Sequence, residues 1–109
     1  MTMIGGNIEA ILQQKSGSTM NAIGERVQEW SDVSHLWGWL DLSSGGAEYT
    51  HNAKIQDSTH IFLCDYVEVD TFSDDKRLIV NGKTYDVLLI DDPMEMHQHL
   101  EIYLQYLGR

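Results

Sequence analysis

The residues most able to do chemistry lie near the C-terminal end. His97 and His99 are one residue apart and close to Asp91, Asp92 and Glu95. Two histidines at i and i+2 on a strand share a face, and with a carboxylate they could hold a divalent ion. The competing reading is an exposed polar edge just before a strand. Cys64 and His60 form the only cysteine–histidine pairing within one element. Four residues along a strand place both on one face but too far apart for a direct hydrogen bond, so Cys64 reads as a small core hydrophobe. Asp65, Glu68, Asp70, Asp74 and Asp75 form an acidic run that lacks the glycine and terminal glutamate of a calcium loop. It reads as a solvated rim. No Walker loop, Gly-x-Gly-x-x-Gly, Gly-x-Ser-x-Gly or zinc spacing is present, so the expectation is a protein that is not an enzyme and carries no cofactor.

Aromatic residues supply a second candidate surface. Trp30, Trp37, Trp39, Tyr49, Tyr66, Tyr85, Tyr103 and Tyr106 could stack single-stranded bases on a barrel. Base-stacking sheets sit in positive grooves, whereas this chain has 7 Lys+Arg against 17 Asp+Glu, a net charge of −10. That balance argues against gripping nucleic-acid phosphates. Core and subunit interface are the favoured roles, with Trp37, Trp39 and Tyr103 as interface candidates.

These residues need elements to position them, and period-2 alternation dominates. Asn7–Gln14 alternates as a first strand, Arg26–Trp30 begins a second extended stretch, and Val33–Leu42 continues it. In that last run Leu36, Leu40 and Leu42 share one face, and His35, Trp37 and Trp39 the other. Ser16–Gly24, rich in Ser, Gly and Asn, reads as a flexible loop. Ser43–Gly46 breaks the pattern, and Ala47–Gln56 suits a short helix capped near Ser44 or Gly45. His60–Val69 is rich in branched and aromatic residues. Asn81-Gly82 between two apolar runs predicts a hairpin, since both positions of a type I′ turn need positive φ. Leu100–Tyr106 alternates as the final strand.

About six strands in 109 residues predict a single mostly β domain over 1–109, a small antiparallel barrel or sandwich with one short helix between core strands. No run reaches the 18 or more apolar residues of a membrane span. One cysteine and no basic-then-apolar leader lead us to expect a protein folded in a reducing cytoplasm.

The order of the motifs resembles the head–tail connector proteins of long-tailed bacteriophages, most closely the head-closure or stopper type. Trp30-Ser31-Asp32-Val33 leads to Leu36-Trp37-Gly38-Trp39-Leu40, then to Ser43–Gly46 with Glu48. Thr59-His60-Ile61, Asn81-Gly82-Lys83-Thr84-Tyr85-Asp86-Val87, Asp91 or Asp92, and Leu100-Glu101-Ile102 follow in the same order. The chain departs from the family where Ile61-Phe62-Leu63-Cys64-Asp65 replaces a basic stretch, and where Ala53–Gln56 keeps the helix ending only loosely. The resemblance implies a virion protein of the neck, assembled in the host cytoplasm as a homo-oligomeric ring, twelvefold in the well-known examples. Portal and adaptor rings would lie above it and tail proteins below, with double-stranded DNA passing through unbound and no membrane involved. It also implies that the segment 43–58 faces the channel, with Ser44, Gly45, Gly46, Glu48, Tyr49, His51 and Lys54 as the gating candidates. A tail-completion or minor capsid protein of the same neck is the alternative, and an acidic small-barrel binding module is another.

Overall fold

In a computed structural model, residues 5–42 and 58–106 are described. The gating candidates and the expected helix at Ala47–Gln56 lie outside them. Six strands follow in chain order: β1 (Ile8–Met20), β2 (Arg26–Leu42), β3 (His60–Asp65), β4 (Lys76–Val80), β5 (Lys83–Asp91) and β6 (His99–Tyr106). A 3₁₀ turn at Pro93–Glu95 joins the last two. Every pairing is antiparallel, and the order β1-β2-β3-β6-β5-β4 closes into a barrel. The mostly β barrel expected from the alternation is therefore the fold.

The β1–β4 seam makes the closure, from Ala10 opposite Val80 to Gln14 opposite Lys76. Closure removes the exposed edges that an open six-stranded sheet would leave. The interior is filled with side chains. Leu12, Leu36, Phe62, Leu78, Leu100, Ile102 and Leu104 are fully buried, and alternate residues of every strand contribute. Each such side chain is worth about 1.5–3 kcal/mol of burial, so the core is the main source of stability.

Two local features shape the barrel. At Asn81-Gly82 both residues adopt positive φ (52° and 76°), as the hairpin motif requires. Gly38 sits opposite Ile8 on one side and Cys64 on the other. A Cβ there would collide with the Leu63 carbonyl oxygen, and a Cβ on Gly6 would collide in turn with the Gly38 backbone. Only glycine fits this corner of the barrel.

The long hairpin departs from expectation. Ser16–Met20, expected as part of a loop, is the distal half of β1, and only Asn21–Gly24 turns before Arg26 opens β2. Beyond Gln14, β1 has left β4, and before Gly38, β2 has not yet met β3. The distal halves therefore pair only with each other and project as an arm, stretching the molecule to 49 Å against 30 and 24 Å across. Register shifts at its root, around Ser16 on β1 and Val33 on β2, are the β-bulges that change its course.

Replacing Gly38 with alanine should lower stability by about 2 kcal/mol or more, because the new methyl meets backbone that cannot move aside. A denaturant midpoint equal to that of the unchanged protein would contradict this account of the corner.

Candidate functional site

The barrel has two unlike ends. At one, β1 and β2 leave as the arm, and the loops β3–β4 (66–75) and β5–β6 (92–98) emerge beside it. Asp65, Glu68, Asp70, Asp74, Asp75, Asp91, Asp92 and Glu95 gather there, with no Lys or Arg in either loop. At the other end sit the Asn81-Gly82 turn and the strand ends Leu42 and His60 that flank the segment 43–57. There His60, Tyr85 and Tyr106 form an aromatic cluster, with His60 and Tyr106 each 5.2 Å from the Tyr85 ring.

The acidic loops are built rather than loose. The Lys76 ammonium is completely buried, donating to the Phe72 carbonyl at 2.8 Å, to Asp75 Oδ1 at 3.0 Å and to Asp70 Oδ2 at 3.4 Å. The hydroxyl of Ser73 donates to the carbonyl of Leu88, the extra residue where β5 shifts register against β6. An amide hydrogen bond from Phe72, followed by the Lys76 charge, holds the Asp70 carboxyl below its ordinary value. In the second loop Met94, Glu95 and His97 all take positive φ (56°, 55° and 56°), a conformation costly for side chains of this size. Asp92 pins it, accepting from the His97 amide at 3.0 Å and contacting His97 Nδ1 at 2.5 Å, while Tyr66 packs 4.6 Å from the His97 ring. Between the loops lies an open groove of about 560 Å³ floored by Ile90 and Leu100. Burial and the neighbouring Glu101 and Asp92 carboxylates raise the Asp91 pKa.

The two histidines of the metal reading engage different carboxylates, His97 with Asp92 and His99 Nε2 with Glu101 Oε2 at 3.0 Å. Glu101 also accepts from the Tyr103 hydroxyl at 3.1 Å. Burial, followed by the Glu101 charge, pushes the Tyr103 pKa up to about 12. Cys64 is buried in the core, and its thiol is pushed up to about 12 by burial and the Asp65 charge. It is not a nucleophile at neutral pH.

The interface candidates do share a surface. Trp37 and Trp39 point outward from β2, 55% and 47% exposed, and Tyr103 points outward from β6, two strands away. Between them, Ile61 and Leu63 of β3 sit opposite Tyr103 and Trp39 respectively. The result is an apolar band on the outer wall, edged by Glu9, Asp41 and Glu101. Trp30 lies further along the arm under the Arg77 guanidinium, 4.2 Å from the ring centroid, with Lys15 at 6.0 Å. Leu42, on the same strand face as buried Leu36, is 75% exposed because β2 has by then run to the barrel's rim.

A family model described as phage head completion protein matches residues 8–105, nearly the whole barrel and arm. The chain belongs to that family. A phage head-completion role, in a structural phage protein, follows from this membership. The solution structure of protein SF1141 from Shigella flexneri 2a is similar to it, with a TM-score of 0.69 and 16% identity over 100% of this chain and 99% of the other. That likeness concerns the fold. No curated protein sequence matches the chain.

Replacing Lys76 with methionine should cost about 2 kcal/mol, since it leaves the Phe72 carbonyl and two loop carboxylates without their donor. Limited proteolysis should then cut first within 70–75, and a cleavage pattern identical to the unchanged protein would contradict the pinning role. The lowered Asp70 pKa gives a sign as well. Its contribution to stability is present above the ordinary carboxylate range near pH 4 and is lost as pH falls below it. The Asp70→Asn variant should accordingly flatten the acid limb of the stability–pH curve. Cys64 should resist thiol reagents at pH 8 until the barrel unfolds, and stoichiometric labelling of the native protein would refute its burial.

Proposed function

We propose that the chain is a subunit of the head-closure ring, which extends the portal channel, helps retain packaged DNA and offers the surface on which the tail docks. The observation that carries this reading is the outward Trp37–Trp39–Tyr103 band on a barrel that belongs to the head completion family. A small closed barrel has no reason to expose two tryptophans side by side unless another surface covers them. A ring supplies that surface, because a head-to-tail contact repeated around an axis buries the band between neighbours. The barrel's packed interior leaves the work to its outer wall, ends and loops.

The charge supports the same reading. Subunits with a net charge of −10 surround duplex DNA with a negative wall, which repels phosphates and lets DNA slide instead of sticking. The segment 43–58, with Glu48, Tyr49, His51 and Lys54, is the part proposed to reach the channel. Its strand attachments at Leu42 and His60 are at the opposite end from the acidic loops. This proposal therefore assigns the two ends of the barrel different neighbours, with portal or adaptor proteins on one side and tail proteins on the other.

Phage heads assembled without this protein should package DNA and then lose it, measured as nuclease-sensitive genome after packaging. Heads that keep their genome would sink the closure role. Trp37→Glu with Trp39→Glu should leave the barrel folded and abolish its incorporation into necks. Deleting Gly45–Gln56 should permit incorporation but reduce retention; unchanged retention would count against gating by that segment.

A further inference from the structure

The groove between the 66–75 and 92–98 loops has no occupant in the head-completion reading. Its volume of about 560 Å³ lies within the range of sites that hold a ligand. Val69 joins Ile90 and Leu100 in its apolar lining, and its acids are Asp91, Asp92 and Glu95. Asp92 is engaged by His97. Among the described residues, neither the Asp91 nor the Glu95 carboxyl has a hydrogen-bond or ion-pair partner. Each loop also exposes large apolar side chains, Phe72 from the first and Met94 and Met96 from the second. Lys76 holds one loop and Asp92 the other, so the groove is shaped before anything enters it, which lowers the entropy cost of binding.

Charge selects the kind of occupant. The two loops carry Glu68, Asp70, Asp74, Asp75, Asp92 and Glu95 and no Lys or Arg. Lys76, at the start of β4, is buried and already paired with Asp70 and Asp75. Burial, followed by the Glu101 and Asp92 charges, raises the Asp91 pKa, while His99 acts the other way. A cation beside Asp91 would relieve that repulsion. Nucleic-acid phosphates would be repelled by such a lining. A divalent ion does not fit, since no three metal-ligating side chains converge among the described residues. A second copy offers no match either. Its arm carries Glu25, Glu29 and Asp32 against Arg26, and the one adjacent pair of bases in the chain, Lys76-Arg77, includes the buried lysine. A basic peptide of another protein fits both features of the groove. Long basic side chains lay their methylene stems on apolar surface and keep the charge at its edge, here beside carboxylates.

We propose that this groove binds an extended basic segment of a neighbouring neck protein. An apolar side chain of the segment rests on Ile90 and Leu100, and flanking Arg or Lys side chains reach Asp91 and Glu95. That the partner is a neck protein rests on the function proposed above. The chemistry of the groove does not, because a single folded copy contains all of it.

The test titrates the full chain with the synthetic peptide Gly-Arg-Leu-Arg-Gly and follows its amide signals by NMR. Saturable shifts should centre on Ile90, Asp91, Glu95 and Leu100. Gly-Arg-Gly-Arg-Gly should bind about fivefold more weakly, having lost its apolar side chain, and Gly-Glu-Leu-Glu-Gly should not bind. Asp91→Asn with Glu95→Gln should weaken binding about tenfold. Glu9→Gln with Asp41→Asn removes the same charge from the outer wall and should leave the affinity unchanged. No binding, unsaturable shifts spread over the acidic surface, or an equal loss in both double variants would overturn the proposal. Groove shifts that follow protein concentration without peptide would assign the groove to a second copy and overturn it too. In virion necks, Met94→Cys carrying a benzophenone should cross-link to an Arg- or Lys-bearing segment of a different protein; Cys64 is buried and takes no label. A cross-link only to another copy, or to an acidic segment, would contradict the proposal. Peptide binding is read on single copies, so its failure leaves the ring reading standing, and a protein that forms no ring can still bind the peptide.

Discussion

Everything peculiar to this molecule depends on the seam where β1 pairs with β4. The pairing from Ala10–Val80 to Gln14–Lys76 turns a six-stranded sheet into a barrel and ends just where Lys76 begins. At that point the Lys15 amide donates to the Asp75 carbonyl at 2.9 Å, and the Lys76 side chain turns inward to hold the acidic loop. The seam therefore fixes three things together: closure of the core, the level at which the arm leaves, and the shape of the loop beside it. A shift of one residue would turn Leu12 and Leu78 outward and put Ile11 and Ile79 in the core, so register here is set by burial.

From the seam follows a molecule with polarity. One end gathers carboxylates, an arm and exposed methionines; the other carries an aromatic cluster and the ends of the segment 43–57. A structural protein at a phage head junction must meet different neighbours on its two faces, and two unlike ends suit that task. The outer apolar band runs around the side, between the ends, where neighbours in a ring would meet.

Much of this was legible in the sequence because it rests on local rules. Asn81-Gly82 announced its turn through backbone sterics, and Leu100–Tyr106 announced its strand through strict alternation. Leu36 and Leu104, each on one face of an alternating run, lie inside, whereas the inward places of Phe62 and Leu78 in uniformly apolar runs needed the strand register. The arm was not legible. Ser16–Met20 has the Ser and Gly content of a loop, and it becomes a strand only because β2 is long enough to pair with it across two bulges. Buried Lys76 was hidden for a related reason, since nothing in Asp70–Lys76 says that the loop folds back over its own lysine. Alternation put Trp37 and Trp39 on one strand face opposite Leu36, while the contribution of Ile61 and Leu63 to the same band needed the strand order, which puts β3 between β2 and β6.

The central claim is that this acidic barrel works as one subunit of a closed ring around DNA at the junction of head and tail. Electron cryomicroscopy of the virion neck tests it most directly. The account predicts a single closed ring into which this barrel fits, with the Trp37–Trp39 band facing the adjacent subunit and the DNA path running through the centre. A reconstruction that places the barrel as isolated copies on the capsid shell, or leaves the Trp37–Trp39 band facing solvent within a ring, would contradict it.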